Sequence, residues 1–163
     1  MASIGSYAYV LKCKLAVARL RQVDDPLKLA HAVRHLGDAY YYAGRSAQAQ
    51  ACYVEALSVY RGREHARPLD FANAIRSFAV LKDHVGAADE ARGLWQEAHD
   101  LYVAVNVPAG VAESAARLAL LAWRQGDLQR SQEWLVEASA AAGVSDDPET
   151  QEYVDKVRAQ TEG

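Results

Sequence analysis

Residues 26–36 read PLKLAHAVRHL, and the same pattern returns in residues 68–78 as PLDFANAIRSF. The shift of 42 residues also pairs later positions: Gly44 with Gly86, Ala49 with Ala91, Tyr53 with Trp95, Ala56 with Ala98 and Tyr60 with Tyr102. A third copy follows from Pro108 after 40 residues, and Pro148 begins a fourth, truncated copy after 40 more. Self-similarity at a nearly fixed period is the signature of a repeat architecture, so the sequence predicts an array of one structural unit.

Each unit is predicted to be a helix, a tight turn and a second helix. Proline is tolerated at the first helical position, where its missing N–H has no intrahelical partner, and Asp25 and Asp147 precede two of these prolines as N-caps. Glycines at 44, 86 and 126 are predicted to end the first helices, because glycine readily adopts the left-handed conformation. The predicted ranges are an N-terminal helix at 4–21, repeats at 26–61, 68–105 and 108–142, and a capping helix at 148–160.

Nine positions at matching places in the three repeats hold only small residues, which predicts close approach of the helices. These positions are Gly37, Ala49, Ala56, Ala79, Ala91, Ala98, Ala119, Ser131 and Ala138. The large residues expected to fill the space beside them are Leu36, Phe78, Leu118, Tyr53, Trp95 and Leu135. One helix pair cannot bury its apolar face alone, so the units are expected to stack. The prediction is a single all-α domain over residues 1–163, a right-handed α-solenoid of about eight helices.

The composition of the 163 residues argues against several other classes of protein. Only four prolines and ten glycines are present, and long runs of alternating Val, Ile and Thr are absent, which argues against a β-sandwich or barrel. Eighteen Lys and Arg against 21 Asp and Glu give a net charge of −3, which disfavours nucleic-acid binding. Neither a signal peptide nor a membrane-spanning segment is expected, and the two cysteines favour a reducing, cytoplasmic location. High Arg and Ala with few Lys favours a bacterial source.

The repeated positions carry a recognisable spacing. The first unit reads Val33-x2-Leu36-Gly37-x2-Tyr40 and then Ala49-x3-Tyr53, and the second reads Ile75-x2-Phe78-Ala79-x2-Lys82 and then Ala91-x3-Trp95. This spacing resembles the tetratricopeptide repeat family over residues 26–142, in a long-repeat form of about 40–42 residues instead of the usual 34. The family's proline at the end of the second helix is missing, and Arg61 stands at that place in the first unit.

The resemblance implies that the first helix of each unit lines a groove that holds a peptide or partner segment. The implied groove residues are His31, Arg34, His35, Asp38, Tyr41, Tyr42, Asn73, Arg76, Ser77, Asp83, His84, Glu113, Arg117, Trp123 and Arg124. They include four Arg against two Asp and one Glu, together with three of the five His, so an acidic partner is favoured. A row of Arg34, Arg76 and Arg117 is expected to hold carboxylates, with Tyr41, Tyr42 and Trp123 as aromatic anchors.

Other interpretations of the same residues remain open. The groove residues could form an ordinary solvated helix face, and the chain could instead be a self-associating scaffold, a homo-oligomer that uses Ile4, Tyr7, Leu11 and Leu15. No Gly-rich phosphate loop, Gly-x-Ser-x-Gly or Cys-x-x-Cys motif is present, so neither an enzyme nor a cofactor is expected. His31 and His35 could meet a metal ion, but the nearby Arg34 disfavours that, and no metal is expected. Cys52 is expected to be a buried structural thiol.

Overall fold

The computed structural model describes the backbone of residues 4–63 and 67–162, and side chains from residue 7 onward. These residues form eight α-helices and no strand, which confirms the all-α prediction. The helices are α1 (Ile4–Leu20), α2 (Pro26–Tyr42), α3 (Ser46–Arg61), α4 (Pro68–His84), α5 (Ala88–Ala104), α6 (Pro108–Arg124), α7 (Leu128–Gly143) and α8 (Pro148–Glu162). None of them has the length and apolar character needed to span a lipid bilayer.

Aspartate side chains cap helix N-termini at the predicted places and at one more. Asp25 accepts a hydrogen bond from the Lys28 N–H at 3.0 Å, and Asp147 accepts one from the Glu149 N–H at 3.1 Å. Asp127 was not predicted as a cap, yet its carboxylate accepts from the Arg130 N–H at 3.0 Å and begins α7. A side-chain acceptor at this position satisfies one of the unpaired N–H groups of the first helical turn.

The first helices end on residues with positive φ, as predicted for the three glycines. Gly44, Gly86 and Gly126 have φ of 72°, 77° and 80°. Asn106 ends α5 in the same way with φ of 54°, a position that the sequence analysis missed because asparagine takes the usual place of glycine. After each of these residues, the next N–H donates to a carbonyl five positions back: Arg45 to Tyr40 at 2.8 Å, Ala87 to Lys82 at 2.9 Å, Val107 to Tyr102 at 3.0 Å and Asp127 to Ala122 at 3.0 Å.

The chain divides into two compact units, Met1–Ala87 and Ala88–Gly163, called unit 1 and unit 2 below. In unit 1, α2 packs against α1, α3 and α4, whereas in unit 2, α6 packs against α5, α7 and α8. The sequence predicted one domain over 1–163, whose ends at residues 1–3 and 163 lie outside the described residues. The division falls within the second sequence repeat, between its two helices.

The nine predicted small residues are all buried, which confirms their place between packed helices. At Gly37 the approach is close enough that an added Cβ would lie 2.6 Å from Cε1 of Tyr53, so α2 and α3 meet there without room for a larger side chain. Gly110 plays the same part in unit 2, because an added Cβ would lie 2.5 Å from the Tyr102 ring. The sequence analysis did not single out Gly110.

The large residues beside this seam are buried, with one exception. Tyr53, Trp95 and Leu135 are at most 2% exposed, whereas Phe78 is only half-buried. The Phe78 ring lies 5.9 Å from the Tyr53 ring, and the Lys82 ammonium lies 5.1 Å from the Phe78 ring centroid. Lys82 stands where the first repeat has Tyr40, and it is buried with its Nζ donating to Gln50 Oε1 at 3.1 Å. The Phe78 ring therefore has a tyrosine ring and a lysine ammonium as neighbours.

Candidate partner-binding surface

Arg34 forms a hydrogen-bonded network with Asp38 and Tyr53 inside unit 1. Arg34 Nη1 donates to Asp38 Oδ2 at 2.9 Å, and the Tyr53 hydroxyl donates to Asp38 Oδ1 at 2.8 Å. The Arg34 and Asp38 side chains are only 13% and 20% exposed. Burial and the neighbouring Asp38 charge raise the pKa of Tyr53 far above its ordinary value, so its hydroxyl stays protonated. Both carboxylate oxygens of Asp38 therefore already accept a hydrogen bond. The Arg34 guanidinium, which was predicted to bind a partner's carboxylate, binds Asp38 in the same chain.

His31 and His35 lie side by side on α2, with their Nε2 atoms 3.0 Å apart. Arg34 Nη2 lies 2.7 Å from His35 Nε2, and because a guanidinium can only donate, that nitrogen must accept. Burial, the Arg34 charge and His31 lower the pKa of His35, which keeps the ring neutral. Arg34 thus faces the lone pair that a metal ion would need. The described residues contain no group of three or more His, Cys, Asp or Glu side chains suited to a metal ion.

An aromatic cluster of Tyr41, Tyr42 and His84 joins the C-terminal ends of α2 and α4. The Tyr41 ring lies 5.5 Å from the His84 ring and 5.4 Å from the Tyr42 ring, both in edge-to-face geometry. Tyr42 is 78% exposed and His84 is also exposed, while Tyr41 is half-buried between them. Two successive first helices thus bring predicted site residues together into one exposed aromatic surface.

The remaining predicted residues of unit 1 lie on α4 with different exposures. Asn73, Arg76 and Asp83 are half-buried, whereas Ser77 is 8% exposed and belongs to the buried part of the helix. The small hydroxyl side chain of Ser77 fits a position packed against neighbouring helices. It contributes little surface to a partner.

The predicted residues of unit 2 lie on α6, where Arg117 packs against aromatic rings. Its guanidinium carbon lies 5.5 Å from the Trp95 ring on α5 and 5.1 Å from the Tyr153 ring on α8. Glu113 and Trp123 are half-buried, and Arg124 is exposed. The expected row of arginines therefore has dissimilar members, because Arg34 pairs with a carboxylate and Arg117 stacks on rings.

A sequence signal for the Arg34 network exists, although the sequence analysis did not use it. The positions equivalent to Asp38 are Val80 and Leu120, and those equivalent to Tyr53 are Trp95 and Leu135. Only the first repeat has both a carboxylate and a hydroxyl at this pair of positions. Polar residues that appear and disappear together between repeats predict a contact between them.

Both cysteines are buried and reduced. Burial raises the pKa of Cys52 to about 11, with a smaller contribution from Glu55, and burial also raises the pKa of Cys13. A thiol of raised pKa is rarely a thiolate, which is the reactive form. The predicted burial of the Cys52 thiol is confirmed.

Comparisons with known proteins identify a shared fold and no family. No family model and no curated protein matches the chain. The crystal structure of BtubC (BKLC) from P. vanneervenii is similar to this chain, with a TM-score of 0.74 and 19% sequence identity. The similarity covers 95% of this chain and 63% of that one, so the chain spans less than two thirds of that protein. At this identity the likeness shows that the two proteins share an all-α fold.

Proposed function

We propose that this chain is a tetratricopeptide-type interaction module that binds a protein or peptide segment on the surface formed by α2 and α4. The aromatic cluster of Tyr41, Tyr42 and His84 is the observation that carries the proposal. Exposed aromatic side chains on rigid helices are typical binding hot spots, because they bury much apolar area at low conformational cost. The role is binding rather than catalysis, and the location proposed is the cytoplasm.

The partner segment proposed is acidic. Arg34 is neutralised by Asp38 in this structure, so the attraction comes from the rest of the surface. His31 and His84 are exposed on it, and an imidazole N–H can donate a hydrogen bond to a carboxylate. A carboxylate-rich segment could accept hydrogen bonds from these imidazoles while its apolar residues cover Tyr42.

The experiment uses a random peptide library displayed on phage and selected against the whole chain. Selected peptides are then measured by fluorescence anisotropy against the wild type, Tyr42→Ser and the matched control Val136→Ser. Val136 lies on α7 and is 63% exposed, so both substitutions remove a similarly exposed apolar side chain. We expect peptides rich in Asp and Glu, at least about 10-fold weaker binding by Tyr42→Ser, and unchanged binding by Val136→Ser. Equal affinity of all three proteins, or selection of basic peptides, contradicts the proposal.

Self-association is a second candidate, favoured by an exposed apolar stripe on α1. Tyr7, Leu11 and Leu15 are 58%, 58% and 52% exposed at intervals of four residues, and Ile4 lies outside the described side chains. The charged residues of α1 are Lys12, Lys14 and Arg19, with no acidic residue. Two α1 helices would repel each other, so a contact between copies would pair α1 with an acidic surface of the next chain.

Sedimentation velocity between about 5 and 100 µM distinguishes this candidate. A scaffold that self-associates through α1 shows a concentration-dependent sedimentation coefficient, which Leu11→Gln abolishes and higher salt weakens. A monomer over the whole range excludes it and leaves peptide binding as the proposed function.

A further inference from the structure

A cavity of about 620 Å³ lies in unit 1, where α2 and α4 begin and α1 and α3 end. Its apolar lining includes Leu20, Leu27 and Ala32. Its polar lining consists of Asp25, Lys28, His31, Tyr60, Arg67 and Asp70. The volume is that of a small-ligand site, in which an apolar surface is combined with a few polar groups. The aromatic cluster is at the other ends of α2 and α4, about 24 Å away along 17-residue helices.

Tyr60 is the residue of this lining that most needs an explanation. It is 3% exposed, and its buried hydroxyl has no hydrogen-bond partner among the residues that the structure describes. Its ring packs near Phe71, with ring centroids 6.0 Å apart. Burial and the negative charge of Asp70 raise the pKa of Tyr60, so the hydroxyl keeps its proton as a donor. Buried donors are nearly always paired, and an unpaired one beside a cavity points to a ligand acceptor.

The cavity lining holds two carboxylates, Asp25 and Asp70, and two cations, Lys28 and Arg67, and of these four groups Arg67 is the one best placed to bind a ligand. The two carboxylate oxygens of Asp25 are already used, one by the Lys28 N–H at 3.0 Å and one by Lys28 Nζ at 2.9 Å. Among the described residues no side-chain hydrogen bond caps the first turn of α4, and the one acidic residue in that turn is Asp70, so a ligand anion there would share the positive end of the helix dipole with the Asp70 carboxylate. Arg67 lies just before that turn, 85% exposed and held to Asp70 only loosely, with Nε 3.9 Å from Oδ2. Its guanidinium is therefore able to turn toward a ligand while Asp70 stays in place.

We propose that this cavity binds a small carboxylic acid with an apolar body. Its carboxylate accepts hydrogen bonds from the Tyr60 hydroxyl and the Arg67 guanidinium at the start of α4, and its body covers Leu20, Leu27 and Ala32. This site goes beyond the proposed peptide-binding function. It shares no residue with the aromatic cluster, and His31, which lines the cavity and also lies on the proposed peptide surface, is not substituted in either test. One site can therefore fail its test while the other passes.

The test is an NMR titration of the whole ¹⁵N-labelled chain with benzoate, hexanoate, benzamide and benzylamine. We expect benzoate and hexanoate to give saturable shifts confined to the amides around residues 20, 27–32, 60 and 67–71, and benzamide and benzylamine to bind at least about 10-fold more weakly. Tighter binding of benzylamine assigns the cavity to cations and overturns the proposal. Equal binding of benzamide, or no saturable shift with either acid, also overturns it.

Two variants then test the residues named. Tyr60→Phe removes the hydroxyl and keeps the ring, and Arg67→Gln changes a side chain that is mostly solvent-exposed, so the second variant serves if the first does not fold. Each should weaken benzoate binding at least about fivefold, as expected for loss of a hydrogen bond to a charged group. Tyr42→Ser is the matched control and should leave benzoate binding unchanged. Unchanged binding by Arg67→Gln overturns the assignment of the carboxylate position.

Discussion

Arg34 and Arg117 lie on the first helices of the first and third repeats, yet the two units hold them by different chemistry. In unit 1, Arg34 forms an ion pair with Asp38 at 2.9 Å, and Asp38 in turn accepts from Tyr53. In unit 2, Arg117 lies over the rings of Trp95 and Tyr153. A similar position on a repeated helix therefore does not give an arginine the same environment.

The residue four positions later accounts for the ion pair of Arg34. Asp38 follows Arg34 by four residues and lies on the same helix face, where an opposite charge can pair with it. Leu121 follows Arg117 at the same interval and is buried, so it offers no charge to that guanidinium. Aromatic faces attract a guanidinium through their quadrupole, so the two rings stabilise Arg117 where it lies.

Removing an aromatic ring from unit 2 should have the largest effect. Trp95 is fully buried, and Trp95→Ala removes both its packing and one of the rings against Arg117. We expect the free energy of unfolding to fall by about 3–5 kcal/mol, measured by urea denaturation followed by circular dichroism. Trp95→Leu introduces the residue found at the equivalent position of the third repeat, Leu135, and should lower the free energy of unfolding by less. A loss below about 1 kcal/mol for Trp95→Ala contradicts the packing described.

Neutralising the carboxylate in unit 1 should have the next largest effect. Asp38→Asn keeps an acceptor for Tyr53 but leaves the largely buried Arg34 without its counter-charge. We expect a loss of about 2–3 kcal/mol in the free energy of unfolding, because a hydrogen bond between charged groups is lost in a poorly solvated place. In a double-mutant cycle with Arg34→Met, the two changes should couple by about 1–2 kcal/mol. Strict additivity would show that the pair contributes nothing beyond its separate members.

Substitution of three glycines by alanine compares how tightly the helices pack in the two units. An added Cβ meets the Tyr53 ring at Gly37 and the Tyr102 ring at Gly110, whereas nothing lies within 4 Å of it at Gly93. We expect Gly37→Ala and Gly110→Ala to destabilise by about 1–2 kcal/mol, since overpacking outweighs the gain in helix propensity. Gly93→Ala is the control and should stabilise by about 0.5–1 kcal/mol. Thermal unfolding of the three variants checks the opposite signs.

The smallest expected effect is a pH dependence that belongs to unit 1. The pKa of His35 is lowered in the folded chain, so protonation favours the unfolded state and stability falls as the pH drops below about 6.5. Above that value the His35 contribution is constant. Urea midpoints between pH 5 and 8 should show this decline in the wild type and in His84→Gln, and a weaker decline in His35→Gln. An identical pH profile for His35→Gln would assign the decline to another group, with His31 and Asp38 as its nearest titratable neighbours.

The helices were largely predictable because their signals are local. The prolines at 26, 68, 108 and 148 begin four helices, and Gly44, Gly86 and Gly126 adopt the positive φ that follows the ends of the first three of them. The small residues of the seam were predictable because their spacing repeats. Asn106 and Gly110 were not predicted, because the equivalent positions of the other repeats hold different residues and no periodicity pointed to them.

The candidate surface was less predictable, since each side chain depends on neighbours from other helices. The sequence placed Arg34 on an exposed row, but its orientation is set by Asp38 and by a tyrosine from α3. The cavity beside Tyr60 combines residues from the ends of four helices, and no linear motif connects them. The contact between Tyr41 and His84 was compatible with the repeat pattern, yet only the packing of α2 on α4 gives its distance.

The boundary after Ala87 implies that the sequence repeats and the compact units of the structure do not coincide. Helix α4 begins the second copy in the sequence, yet Phe71 and Phe78 on that helix pack on Tyr60 and Tyr53 of the copy before. Moving residues 26–61 as one segment would separate both phenylalanines from the tyrosines that pack on them. Recombination in the turn at Ala87 would preserve these contacts, so shuffled chains joined there should fold better than chains joined between sequence copies.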